Sequence, residues 1–430
     1  MRFLKTVDPG FEEAFSRLLV REAEVASDIP ATVSQLIAEV RRRGDEALIE
    51  LSDRFDGTDL SCGMAVTEPE IEEALRGVSE EAMAALREAA SRISAYHDRQ
   101  RPEDVRWTDD EGVTLGWRWT PLDAVGLYVP GGTATYPSSV LMNALPAKIA
   151  GVRRIVMVTP AKGGVINPLV LAAARLAGVS EIYKIGGAQA IAALAYGTKS
   201  IAPVDKIVGP GNAYVAEAKR QVFGHVGIDS IAGPSEISII ADESAEPEHL
   251  AADLLSQSEH DALSQSLLLT PSEKLAKRTE AAVESQLQGH PREDIARKAW
   301  EGQGAIIFTR DLAEAAALSN RIAPEHLELA VKKPDALLPS IEHAGAVFLG
   351  HYTPEAIGDY VGGPSHVLPT NRAARFSSGL SVLDFVKRMS VTGCSKKAFR
   401  VIGPAAAALA QGEGLPSHAA SVTLRLNAKS

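Results

Sequence analysis

Val125-Gly126-Leu127-Tyr128-Val129-Pro130-Gly131-Gly132 is a short apolar run that stops at a Pro-Gly-Gly turn. Such a run is too short for a buried helix and fits a strand covered on both faces. The pattern recurs three times downstream. Ile155 to Val158 precedes Thr159-Pro160, Ile182 to Ile185 precedes Gly186-Gly187-Ala188-Gln189, and Lys206 to Val208 precedes Gly209-Pro210-Gly211-Asn212. Helical stretches lie between them: Ser139 to Ala150, Pro168 to Ala177 and Gln189 to Tyr196. Strand–turn–helix units in series build a parallel sheet with helices on both faces. The Gly/Pro turns then share the carboxyl edge of that sheet, where open α/β sheets bind ligands. Free backbone N–H groups at such turns and helix starts favour phosphate. Residues 125–234 therefore read as a nucleotide-binding-like, Rossmann-like domain.

The dinucleotide signature itself is incomplete. Gly209-Pro210-Gly211-Asn212-Ala213-Tyr214 has two glycines of a Gly-x-Gly-x-x-Gly loop, with Tyr214 in place of the third. No acidic residue stands at a strand end about 20 positions on, where a ribose contact is expected. From pattern alone, tight turns in a scaffold without a nucleotide remain open.

A second α/β series runs through Ile237 to Ala241, Ser266 to Leu269, Ala305 to Phe308, Leu327 to Val331 and Ala346 to Leu349. Helices separate these runs, among them Pro247 to Ser258, Ser272 to Gln286 and Leu312 to Asn320. Upstream, residues 10–100 are helical in spacing, over Phe11 to Glu24, Ala31 to Arg43 and Asp45 to Phe55, with Gly44 and Gly57 as breaks. Thr67-Glu68-Pro69-Glu70 is a helix start. Trp107, Trp117 and Trp119 sit in strand-like alternation. After Asn371 the α/β alternation stops. Ser381 to Met389 and Pro404 to Gln411 read as helices, and Ala420 to Leu426 as a strand-like tail that could dock on another subunit. The expected architecture is α/β: two Rossmann-like parallel-sheet domains plus a helical N-terminal arm and a C-terminal tail. The boundaries are 1–25 for the arm, 26–124 with 235–375 for one α/β domain, 125–234 for the other, and 376–430 for the tail.

Composition narrows the function. The chain has 430 residues, 45% apolar and 23% charged, with net charge −11. No Lys/Arg-rich run exists, which argues against nucleic acid or an anionic membrane as partner. The first residues, Met1 to Thr6, lack a signal-peptide core. No apolar run reaches the length of a membrane span. Cys62 and Cys394 stand alone outside any Cys-x-x-Cys motif, so a reducing cytoplasm is the default setting.

Four segments could carry chemistry. In the helix expected from Pro247, Gln257 and His260 are three apart and share a flank. An amide oxygen and an imidazole make neighbouring ligands for a divalent metal, although on spacing alone an ordinary helix end is the simpler reading. Glu325-His326 follows Pro324, which drives Ala323 out of helical geometry; the pair could supply two general bases or be an ion-paired loop. In Gly358-Asp359-Tyr360-Val361-Gly362-Gly363-Pro364-Ser365-His366, Asp359 offers a metal ligand and His366 a donor for substrate. His418 could complete a metal shell from the tail. The chain has ten histidines. His97, His225, His249, His290, His343 and His351 read as ordinary surface residues.

Taken together these motifs resemble the histidinol dehydrogenase family nearly end to end. The likeness rests on Leu127-Tyr128-Val129-Pro130-Gly131-Gly132, Gly186-Gly187-Ala188-Gln189-Ala190, Val208-Gly209-Pro210-Gly211-Asn212 and Ala232-Gly233-Pro234-Ser235-Glu236. It continues through Ser256-Gln257-Ser258-Glu259-His260, Ala323-Pro324-Glu325-His326-Leu327-Glu328, Gly358-Asp359-Tyr360, His366-Val367-Leu368-Pro369-Thr370, Glu413-Gly414-Leu415 and His418. The resemblance implies one zinc per subunit held by Gln257, His260, Asp359 and His418, with substrate completing the shell. It implies Glu325 and His326 as catalytic bases. Ser235, His366 and Glu413, with Gln257, His260, His326, Asp359 and His418, would contact substrate. Tyr128, Gln189 and Asn212 would contact NAD. It also implies a homodimer whose tail crosses to the partner, so that Glu413 and His418 serve the other subunit's site. One position departs from the family pattern: Ser365 stands where Asn is usual.

The activity so implied is oxidation of L-histidinol to L-histidine through histidinaldehyde, with two NAD and one water. His326 would take the hydroxyl proton as hydride leaves to NAD. Since neither cysteine lies in a motif, direct hydration with Glu325 activating water fits the second step. The alternatives are a zinc/NAD dehydrogenase of another polar alcohol, a metal hydrolase in which Glu325 activates water, and a non-catalytic nucleotide-binding module.

Overall fold

A computed structural model describes residues 1–20, 28–131 and 136–428. Gly132 of the first turn and the expected end of the first helix at Glu24 lie outside them. The strands are β1 (Arg2–Lys5), β2 (Val105–Thr108), β3 (Val113–Pro121), β4 (Ala124–Tyr128), β5 (Arg154–Val158), β6 (Glu181–Tyr183) and β7 (Lys206–Val208). They continue with β8 (Gly227–Ile228), β9 (Glu236–Ala241), β10 (Gln265–Thr270), β11 (Ala305–Phe308), β12 (His326–Ala330), β13 (Ala346–Leu349) and β14 (Val386–Cys394). The chain divides into two compact units, Met1–Gln100 with Asp123–Phe385, and Arg101–Leu122 with Val386–Ser430.

The larger unit holds two parallel sheets, of order β6-β5-β4-β7-β8 and β1-β11-β10-β9-β12-β13. Both follow from the apolar runs and turns of the sequence. The central strands β9 and β10 are buried along their whole length, as helices on both faces require.

Three expectations from the sequence give way here. Of the expected arm 1–25, the described residues 1–20 are not detached: β1 pairs with β11, and Phe11, Phe15 and Leu18 of the Phe11–Leu19 helix are buried with Leu269 and Ile307. An amphipathic stripe fits an arm or a core equally well, and the free edge of β11 decided it. Residues 29–64 pack on the five-stranded sheet: Val33 and Leu48 share a core with Ile191 and Val158. His97, read as a surface residue, is fully buried, with Nδ1 2.7 Å from Gln100 Oε1.

The smaller unit is an antiparallel sheet β14-β3-β2 followed by two helices, Lys396–Gly412 and Pro416–Leu426. The helix expected over Ser381 to Met389 is a single 3-10 turn, Val382–Phe385, followed by β14. Pairing along the whole of β3, Val386 opposite Pro121 through Cys394 opposite Val113, overrides local propensity. The strand-like tail is helical. Leu426 packs against Gly403, where a Cβ would stand only 3.1 Å from the Leu426 Cδ2. That close approach favours a helical hairpin over an extended Val422-Thr423 segment.

Candidate active site

β9 and β12 lie side by side in the six-stranded sheet although β10 and β11 intervene in sequence. Their register, His326 opposite Ile237, brings Glu325 against Glu236 at the sheet's amino-terminal margin. Ala323 leaves right-handed helical geometry as the helix Leu312–Ile322 ends, but in the left-handed region at φ 50 rather than the extended region that a following proline favours. Glu325 Oε2 accepts the Glu236 N–H at 2.9 Å, and Glu236 Oε2 accepts the Glu325 N–H at 3.3 Å. His326 Nδ1 lies 3.0 Å from the Glu236 carbonyl oxygen. A carbonyl only accepts, so Nδ1 carries the proton and Nε2 is the nitrogen left for chemistry. Nε2 faces Glu355 Oε1 and Asp359 Oδ1, each at 3.6 Å.

Glu355 and Asp359 lie on one face of the helix Glu355–Tyr360, four residues apart. Gln257, fully buried, closes the Pro247–Ser258 helix. With its amide nitrogen toward Glu355 it donates to both carboxylate oxygens, at 3.0 and 2.9 Å, and its Oε1 lies 3.1 Å from His260 Nδ1. His260 stands just past the helix rather than on it, tied by its N–H to the Gln257 carbonyl at 3.2 Å. His366 is held at both ring nitrogens, Nδ1 3.0 Å from the Asp359 carbonyl oxygen and Nε2 3.2 Å from Ser139 Oγ. The neighbouring Ser365 accepts the Val367 N–H at 3.2 Å, and the ring itself is held by Asp359 and Ser139. Asp359, Ser365 and His366 also wall an open cavity of about 720 Å³, room enough for a small polar substrate.

The electrostatics follow from burial. Burial pushes Glu325 up to about 8 and Glu355 up to about 7, in both cases against the pull of His326. Burial works against a charge on His326, yet Glu355, Glu325 and Asp359 together raise it well above the usual imidazole range. Beneath them, burial raises Asp253 to about 6 and holds Glu328 well above the usual range, the two carboxyls bonded to each other.

At the five-stranded sheet, Tyr128 ends β4, and its hydroxyl accepts the Gly187 N–H at 3.1 Å. Gln189 is buried in the helix Gly187–Tyr196. Asn212 caps the helix Ala213–Val222, its Oδ1 accepting from Tyr214 N and Val215 N at 3.1 Å each. Ser235 leads into β9, its carbonyl accepting the Gln265 N–H at 2.9 Å. Glu413 and His418 belong to the smaller unit, Glu413 closing its first helix and His418 in the first turn of its second, both exposed. Sequence reading passed over Glu236, Glu355, Ser139 and the Asp253–Glu328 pair as functional candidates. A signal for one of these was present: Glu328 interrupts the apolar run of β12, where a carboxylate is costly without a purpose.

Gly/Pro turns gathered at the edge of one parallel sheet, with buried carboxyl and imidazole side chains at a second, suit an oxidoreductase. A family model for histidinol dehydrogenase matches residues 19–426. The chain is 60% identical to the histidinol dehydrogenase of Rhizobium meliloti (strain 1021), covering 99% of this chain and 98% of that one. It is 59% identical to that of Cereibacter sphaeroides, again over 99% of this chain and 98% of the relative. Its structure superposes on the crystal structure of histidinol dehydrogenase from Elizabethkingia anophelis with a TM-score of 0.95, at 39% identity, covering 99% of this chain and 98% of that one. The chain belongs to the histidinol dehydrogenase family, whose members carry out NAD-dependent oxidation of histidinol to histidine in histidine biosynthesis and use NAD and Zn²⁺.

The side chains present fit a zinc ion. The 3.1 Å between Gln257 Oε1 and His260 Nδ1 is a spacing that two ligands of one ion adopt at bond lengths of about 2.1 Å. Among the described residues, His326, Glu355 and Asp359 also place ligand-type atoms within 4.8 Å of one another.

Proposed function

We propose that this chain oxidises L-histidinol to L-histidine through histidinaldehyde, with two NAD and one water. Gln257, His260 and Asp359 would hold zinc together with His418 of a second copy, and zinc when bound supplies a Lewis-acid template that orients substrate. His326, in its neutral form with Nδ1 fixed on the Glu236 carbonyl, accepts the substrate hydroxyl proton at Nε2 while hydride passes from carbon to NAD. Glu325 then takes a proton from the water that adds to the aldehyde while protonated His326 gives its proton to the former carbonyl oxygen, and the resulting gem-diol returns a hydroxyl proton to His326 as its hydride passes to a second NAD, leaving the carboxylic acid. Ser235 and His366, with Glu413 of the second copy, contact substrate. Tyr128, Gln189 and Asn212 contact NAD along the five-stranded sheet, and the six-stranded sheet serves zinc and substrate.

The single observation that carries this reading is the buried Glu325–His326 pair, both members bonded to Glu236, with His326 Nε2 facing Asp359. A homodimer accounts for the apolar side chains that the smaller unit exposes on its two helices, Val401, Ile402, Leu409 and Leu424. The protein works in the cytoplasm on this reading; among the described residues no helix is long and apolar enough to cross a membrane. The test is NADH absorbance on mixing zinc-loaded protein with NAD and histidinol, compared with other amino alcohols. Two NADH and one histidine per histidinol, lost on chelation and regained with zinc, is the expected result. Turnover of another alcohol in preference, or undiminished activity after removal of all metal, overturns it.

A further inference from the structure

Lys219 and Asp229 form a buried ion pair that no step of the reaction uses; their side chains are 3% and 4% exposed. Lys219 lies in the helix that Asn212 caps, and Asp229 follows β8. Both close on one residue. Asp229 Oδ2 accepts the Gly209 N–H at 2.7 Å, and Lys219 Nζ donates to the Gly209 carbonyl at 3.0 Å. Gly209 sits at φ +114, and a Cβ there would stand 2.1 Å from the Tyr128 carbonyl oxygen, so its backbone is pressed against the end of β4 and only glycine fits. Apolar side chains of the same volume usually stabilise a core at least as well as a buried ion pair does. The pair adds direction instead: two bonds that only one placement of Gly209 satisfies.

We propose that Lys219 and Asp229 are positioning residues for the coenzyme, clamping the Gly209 turn so that Asn212 and the start of its helix face the dinucleotide. This rests on the reading that NAD lies at this sheet edge. Neither side chain touches coenzyme or a reacting atom. Each acts through Gly209, three residues before Asn212.

The test uses full-length, zinc-loaded protein. Lys219→Met removes the donor and the charge. Asp229→Asn keeps an acceptor for the Gly209 N–H while ending the ion pair. Lys219→Met is expected to raise KM for NAD and Kd for NADH about tenfold, the worth of one such bond, with Asp229→Asn intermediate. KM for histidinol, bound zinc and kcat at saturating NAD should stay within about twofold, and Lys219→Arg should restore most of the NADH affinity. Unchanged NADH affinity with only a lower Tm, or equal rises in both KM values, overturns the assignment. Should Lys219→Met fail to fold, the NADH affinity of Asp229→Asn decides alone. Wild-type protein that binds no NADH overturns the functional reading, and this one with it, before any variant is compared.

Discussion

Glu236 and Glu325 each accept the other's backbone N–H, at 3.3 and 2.9 Å, across neighbouring strands. The same Glu236 accepts the Asn371 N–H at 2.7 Å and offers its carbonyl to His326. One buried residue thereby seats both proposed bases and a returning loop.

Replacing Glu236 tests that seat. Glu236→Ala leaves the N–H groups of Glu325 and Asn371 without their acceptor, at about 1–3 kcal/mol for each buried group. Urea denaturation is expected to show a loss of about 2–4 kcal/mol. Glu236→Gln keeps an acceptor oxygen and should lose less than half of that. Equal losses would mean that charge rather than acceptance matters.

Glu325→Gln should separate the two oxidations. The amide still accepts the Glu236 N–H but cannot take a proton from water. Histidinaldehyde oxidation is expected to fall by about 100-fold or more, with alcohol oxidation affected far less. The two half-reactions are measured by supplying each substrate separately. An equal fall in both would remove the distinct role given to Glu325.

The same residue sets a pH dependence. Burial raises Glu325 to about 8, and only the ionised form is a base. The aldehyde half-reaction should therefore rise with pH through an inflection near 8 in single-turnover measurements, and Glu325→Gln should abolish that inflection. A flat profile across this range in the wild-type protein would rule out the assignment.

Asp253 and Glu328 set a stability dependence of the opposite kind. Both carboxyls are raised in the fold, Asp253 to about 6, so the folded state favours their neutral forms. Their contribution is complete below the ordinary carboxylate pKa near 4 and is lost as pH rises, the share of Asp253 through about 6. Asp253→Asn removes that residue's share of the titration, and at pH 8 its Tm should exceed the wild type by about 2 °C or more. At pH 4 the advantage should vanish. A constant Tm difference across that span would show that the pair does not titrate with folding.

Much of the scaffold was legible in local chemistry. Runs such as Val125 to Val129 that end at Pro or Gly have few conformations open to them, and β4, β5 and β7 stand where those runs fall. The helix expected from Pro247 begins there. Elements whose fate depends on a distant partner were not legible. Residues 2–5 became a strand because β11 left an edge free, and Val386–Cys394 because β3 lay open to pair. The tail became a helix because Gly403 lets Leu426 approach.

The sequence by itself determined the alternation of strands and helices, the turns at the edge of the five-stranded sheet, and the side chains able to bind metal or move protons. Backbone punctuation and side-chain chemistry are local properties, written residue by residue. Only the tertiary structure decided which of those side chains meet. Glu236 and Glu325 are 89 positions apart, and β9 beside β12 makes them neighbours. Lys219 and Asp229 close on Gly209 because a helix folds back over the turn that precedes it. Those encounters follow from sheet order and burial, which depend on the whole chain finding one packing.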